Sequence, residues 1–300
     1  MKLLKILSLL VLPVSILFSG CIDDDRNGCP PDHNVVLTFS YPDFAEHIGC
    51  VTAAVYDSQS LLVECIQAEK TSLDIFQGIR LGLPAGDYTA VCWGNTFSNT
   101  QINGLMPGNG LLMEKVASPG YFSSTPIITN DSLYYGIRRF TVSQNTTTNE
   151  TIVFTPAYIR LIIQIKGLGS TATGAPSSGY PYIKVNNLAP AYDYTMVAQG
   201  NLTTYYPSIT VDPARMLAQS TCNVLRFNEE PPITIEVVTN HTDNTVLHTI
   251  DLQSFIAANS IKIIEGKEVV IPILISFETG VKVTLIEGWS NTPVNPEPQQ

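Results

Sequence analysis

From Val35 onward the chain is a succession of short apolar runs broken by Gly, Pro, Asn and Asp. Within the runs, apolar and polar positions alternate with a period of two. Tyr88, Ala90 and Cys92 point one way and Thr89, Val91 and Trp93 the other, just after a turn-forming Pro84-Ala85-Gly86-Asp87. This is the pattern of strands rather than helices. It predicts strands over Val35 to Tyr41, Cys50 to Tyr56, Leu61 to Ile66, Ile79 to Leu83, Tyr88 to Trp93 and Leu133 to Val142. Gln144 to Glu150 reads as a polar hairpin loop, with Thr151 to Phe154 as the closing strand of a first domain.

A second β-rich stretch opens with the alternating run Tyr158 to Leu168. Ile233 to Thr239 and Thr245 to Leu252 form one predicted hairpin, and Val269 to Phe277 with Val281 to Ile286 another. Helical periodicity is confined to a turn or two at Ala214 to Gln219 and Leu252 to Asn259. Short strands at this spacing predict an all-β protein built as sandwiches. The length beyond the leader exceeds an ordinary single core. Two domains, residues 35–155 and 156–288, are therefore expected, with a Pro-rich disordered tail over residues 289–300.

The N-terminus sets the compartment. Lys2 and Lys5 precede an apolar run from Ile6 to Phe18, then Ser19-Gly20-Cys21. The run is too short to cross roughly 30 Å of hydrocarbon, so residues 1–20 read as a secretory signal. The ending resembles a bacterial lipobox, in which the cysteine is acylated and becomes the new N-terminus; Phe18 stands where Leu is usual. The other reading is ordinary cleavage, with Cys21 left as a disulfide partner. Residues 21–34 are nearly devoid of apolar side chains and read as a solvated acidic tether. Loss of Lys2 and Lys5 with the leader moves the formal net charge from −10 to −12. That surface repels phosphate backbones, which argues against nucleic acid as a partner. Cys29, Cys50, Cys65, Cys92 and Cys222 remain, an odd number whose pairing is open.

Candidate chemistry is sparse. Asp23-x-Asp25-x-Asn27-Gly28 opens like a calcium loop, but position twelve is Asn34 and Pro30-Pro31 interrupt it. His241 and His248, near Asp243 and Asp251, fall on the turn and far along the returning strand of a hairpin, so they do not converge on a metal. No nucleophile elbow, metalloprotease helix, P-loop or dinucleotide fingerprint is present, so neither catalysis nor a cofactor is expected. Tyr180, Tyr182, Tyr192, Tyr194, Tyr205 and Tyr206, with Trp289 further on, form either packing surface or a platform for sugar rings. Asp131-Ser132-Leu133 resembles an O-glycosylation acceptor of Bacteroidetes-type periplasmic machinery.

Three stretches together resemble the fimbrial anchor lipoproteins of Bacteroidetes, relatives of fimbrillin-associated minor subunits. They are Cys21-Ile22-Asp23-Asp24-Asp25 running to Cys29-Pro30; Leu81 to Tyr88 running to Cys92-Trp93-Gly94-Asn95; and Asp131 to Gly136. The strand Arg160 to Leu168 fits as well. The resemblance implies two transthyretin-like sandwiches, lipidation at Cys21, display on the outer membrane and a fimbrillin-type subunit as partner. Such a partner is expected to bind by strand addition to an open sheet edge. Pro293, Pro296 and Pro298 make the end of the chain a poor donor strand. The alternative is a surface glycan-binding lipoprotein of a nutrient-uptake system, with the tyrosines at 180–206 as its platform.

Overall fold

A computed structural model describes residues 33–167, 181–227, 232–239 and 244–288. The strands are β1 (Val35–Ser40), β2 (Cys50–Tyr56), β3 (Leu62–Glu69), β4 (Gly78–Leu81), β5 (Gly86–Gly94), β6 (Gln101–Asn103), β7 (Lys115–Ala117), β8 (Tyr134–Val142), β9 (Thr148–Val153) and β10 (Thr155–Pro156). They continue as β11 (Tyr158–Lys166), β12 (Tyr182–Leu188), β13 (Ala191–Asp193), β14 (Ala198–Gln199), β15 (Thr203–Tyr205), β16 (Thr210–Asp212), β17 (Leu217–Leu225), β18 (Thr234–Val238), β19 (Val246–Asp251), β20 (Val270–Ser276) and β21 (Lys282–Leu285). The described helices are single short turns, except the seven-residue α-helix Leu252–Ala258, whose N-cap Asp251 accepts from the Ser254 amide. The all-β expectation holds.

In the first half of the chain a three-stranded sheet, β4-β1-β9, faces a five-stranded one, β10-β8-β5-β2-β3. Val35, Leu37 and Phe39 alternate inward from β1 and meet Val51, Ala53, Ala90, Cys92 and Phe154 in one core. Gly78 lets β4 lie close to β1: a Cβ there would stand 2.3 Å from the Leu37 carbonyl oxygen. In the second half, β16-β17-β11-β20-β21 packs on β15-β12-β18-β19. The alternation predicted for β11 is realised, with Ile159, Leu161, Ile163 and Ile165 all facing the second core. A small sheet, β14-β13-β7-β6, takes strands from both halves, and β7 pairs antiparallel with β13 from Lys115–Ala117 to Ala191–Asp193.

Two local expectations need correction. Gln144 to Glu150 is not simply a hairpin loop. β9 already begins at Thr148 and crosses to the opposite sheet, pairing in parallel with β1 across six residues. Its exposed face is polar, so the sequence disguised it as a loop. The segment Ala214 to Gln219 is a 3-10 turn, Pro213–Arg215, that gives way to β17 at Leu217. There the inward alternation of Ala218, Ser220, Cys222 and Val224 outweighs the helix propensity of the run. The hairpin β18–β19 and the helix after it form as expected.

Leu161 is fully buried at the centre of β11, flanked by Cys222 on β17 and Ile271 on β20. Leu161→Ala should destabilise the protein by about 2–5 kcal/mol in chemical denaturation. A loss below about 1 kcal/mol would contradict this packing.

Candidate partner-binding edge

The middle of β5, the central strand of the five-stranded sheet of the first half, is buried on both faces. Ala90 and Cys92 of β5 face the sandwich core, whereas Val91 and Trp93 face outward into a third cluster. That outer cluster is covered by the long excursion between β5 and β8, through Leu111, Val116 and Leu133, and by Tyr192 and Leu225 from the second half. One charged group lies in it. Glu114 is fully buried; its carboxylate accepts from the Trp93 indole Nε1 at 2.5 Å and from the Tyr56 hydroxyl. Burial pushes the Glu114 carboxyl up to about 7, and the nearby Asp193 adds to the shift, while the two hydrogen bonds oppose it. Tyr135 closes the same layer, donating to the Tyr194 carbonyl at 2.7 Å.

With the middle of the sheet covered, backbone hydrogen-bonding capacity remains at its edges. One edge is β10, two residues long and containing Pro156. The other is β3, eight residues long. Only its start is clamped: the Leu62 amide donates to the Asn109 carbonyl at 2.9 Å and the Leu111 amide to the Ser60 carbonyl at 2.8 Å. Val63 to Glu69 end the sheet. Beside the clamp stand exposed apolar side chains: Leu61 and Val63 from the strand side, and Met106, Leu112 and Met113 from the excursion, with Leu112 77% exposed. Glu64 and Glu69 punctuate the edge, and the thiol of Cys65 is exposed. Charges of this kind discourage indiscriminate pairing while leaving the backbone available.

A second polar cluster ties the halves together. Glu268, before β20, accepts from the Tyr41 hydroxyl at 3.3 Å and from the Tyr134 hydroxyl, and lies 2.8 Å from His47 Nδ1. Arg160 Nη2 donates to Ser132 Oγ at 3.2 Å, and Arg226 Nη1 to the Lys267 carbonyl at 2.9 Å. These positions are scattered along the chain, so no sequence spacing signals them.

Other predicted positions fall as follows. Cys21, Cys29, Tyr180, His241, Asp243, Trp289 and residues 291–300 lie outside the described residues. Cys50, Cys92 and Cys222 are buried and unpaired. Among the described tyrosines of that stretch, Tyr182, Tyr194 and Tyr206 are half-buried. Tyr192 and Tyr205 are core residues, and Tyr205 donates to the Ala189 carbonyl at 3.3 Å while accepting from Asn130 Nδ2 at 3.0 Å. Asp131 and Ser132 of the glycosylation-like triplet are engaged internally: Asp131 Oδ2 accepts from the amides of Phe97 and Asn99, and Ser132 receives Arg160. No helix among the described residues is long and apolar enough to cross a membrane.

The fold is that of a β-sandwich protein. A family model described as fimbrillin-A associated anchor proteins Mfa1 and Mfa2 matches residues 26–292, and the chain belongs to that family. It is therefore a fimbria-associated protein. The fold is shared with the fimbrial anchor protein Mfa2 of Porphyromonas gingivalis at 15% identity and a TM-score of 0.58, covering 85% of this chain and 97% of that one. A candidate polysaccharide-binding protein of Bacteroides thetaiotaomicron gives 15% identity and a TM-score of 0.65, covering 85% and 98%. A candidate adhesin of Bacteroides ovatus gives 13% and 0.66, covering 85% and 92%. No curated protein matches.

Glu114 makes stability depend on pH with a definite sign. Its folded pKa lies above its unfolded value, so the native state holds the extra proton and loses stability as pH rises from about 4.5 to about 7. The full effect is on the order of 3 kcal/mol. Glu114→Gln should abolish that part of the slope in denaturation curves taken from pH 4.5 to 8. An unchanged slope would show that the carboxyl does not titrate there.

Proposed function

We propose that this protein sits at the base of a fimbria, held to the outer membrane by lipid on Cys21, and takes up an extended strand of a fimbrillin-type subunit along β3. Residues 35–155 and 156–288 serve as its two domains. The observation that carries the reading is the open β3 edge bordered by Val63, Leu112 and Met113. Strand addition draws affinity from main-chain hydrogen bonds, each worth about 1 kcal/mol net, and specificity from side-chain contacts beside them. Glu64 and Glu69 favour a donor with basic residues at the matching positions.

The place of β1 supports an anchoring role. It is the first described strand, and it lies between β4, which it meets antiparallel, and β9, which it meets in parallel over six residues. Tension drawn through the tether would load both ladders along their length, so many hydrogen bonds would resist together. Burial of Tyr192 and Tyr205 removes two of the six tyrosines that the glycan-uptake alternative needs as its platform.

Capture of the fimbrial subunit from intact cells by tagged protein tests the edge. Val63→Lys combined with Met113→Lys should lower capture about tenfold or more, with stability unchanged within about 0.5 kcal/mol because both side chains are exposed. Equal capture would remove β3 as the acceptor. Cys21→Ala should release the protein from the membrane fraction; retention would rule out the lipid attachment.

A further inference from the structure

A separate concavity opens where β2 and β3 meet the segment after β5. It measures about 400 Å³, within the range of small-ligand sites, about 300–1,000 Å³. Its floor is Thr52 and Gln67, which are paired across the strands, and its wall is Thr96, Phe97, Thr100 and Gln101. Ile102, Leu105 and Pro119 complete the lining, and none of these residues is charged.

Phe97 is the unusual member. Its side chain is 57% exposed, yet its backbone is firmly held. The amides of Phe97 and Asn99 donate to Asp131 Oδ2 at 2.9 and 3.1 Å, and Asn99 Nδ2 donates to Asp131 Oδ1 at 3.2 Å. Asp131 itself is buried. The ring rests near Gly49, where an added Cβ would come within 3.3 Å of its Cζ. An exposed aromatic ring is thus held by a pinned loop in a cleft whose lining mixes amides and hydroxyls with Ile102, Leu105 and Pro119. The Gln67 side chain has no hydrogen-bond partner among the described residues, so its amide offers both donor and acceptor capacity.

We propose that this cleft binds an uncharged saccharide, with the apolar C–H face of one sugar ring laid on Phe97 and its hydroxyls met by Gln67, Gln101 and Thr52. The electron-rich ring face suits the weakly positive C–H groups of a pyranose. Paired amides and hydroxyls match sugar hydroxyls, which both donate and accept. An anionic sugar or a nucleotide is disfavoured, because the site supplies no cation, the Asp131 carboxylate stands behind the loop, and the chain carries a net charge of −10. The site shares β3 with the strand-accepting role proposed above, using the Gln67 side chain where that role uses the strand's backbone edge.

The test is an array of neutral oligosaccharides of hexoses and N-acetylhexosamines, followed by titration of any hit against the intact protein. Binding should fall tenfold or more in Phe97→Ala and several-fold in Gln67→Ala. Both variants should keep the wild-type unfolding transition, because both side chains are exposed. Unaltered capture of the fimbrial subunit by Phe97→Ala would confirm that the two sites are separate. The proposal falls if no neutral saccharide binds, or if binding survives Phe97→Ala. It falls equally if that variant loses the fimbrial subunit while no sugar is retained, because the cleft would then belong to the protein interface.

Discussion

Burial of both faces of β5, the central strand of one sheet, governs what this molecule can offer. β5 runs through the middle of the first half with Ala90 and Cys92 in the sandwich core and Val91 and Trp93 in the layer outside it. A strand so enclosed needs no alternation, and its apolar run Ala90 to Trp93 is continuous for that reason. The outer layer is closed by an excursion that carries one carboxylate inward. Glu114 satisfies the Trp93 N–H and the Tyr56 hydroxyl, which otherwise would be buried without partners at a cost of about 1–3 kcal/mol each. Backbone hydrogen-bonding capacity remains at the rim of this sheet, and β3 is the long rim.

The same excursion joins the halves. β7 follows Glu114 directly and pairs with β13, so the residue that closes the outer layer also positions a strand contributed to the second half. Arg160, Arg226 and the group around Glu268 add polar ties between distant parts of the chain. A scaffold meant to carry load gains from such redundancy, because no one loop bears the connection.

Much of this fold is legible in the sequence, because strand alternation is a local signal. Tyr158 to Lys166, the β18–β19 hairpin and the helix after Asp251 follow directly from it. What escapes is non-local. β9 looks polar because one of its faces is solvated, and its parallel partner lies more than a hundred residues away in the chain. The tyrosines at 192 and 205 are indistinguishable in composition from surface tyrosines; the packing of Ile127 and Asn130 beside Tyr205, and of Val116 and Leu225 in the layer that holds Tyr192, decides their burial. The β3 edge and the Phe97 cleft are equally hidden, since being last in a sheet or first at a cleft mouth is a property of the assembled fold. Cys21, by contrast, is read from the sequence pattern around it.

Site-specific photocrosslinking in cells would show whether β3 receives the fimbrial subunit. A photoreactive residue would be placed in turn at Val63 beside the β3 edge, at Val153 on β9 and at Val281 before β21, all exposed positions. The account predicts a covalent adduct with the fimbrial subunit at Val63 and none at the other two. Adducts at Val153 or Val281 with none at Val63 would contradict it.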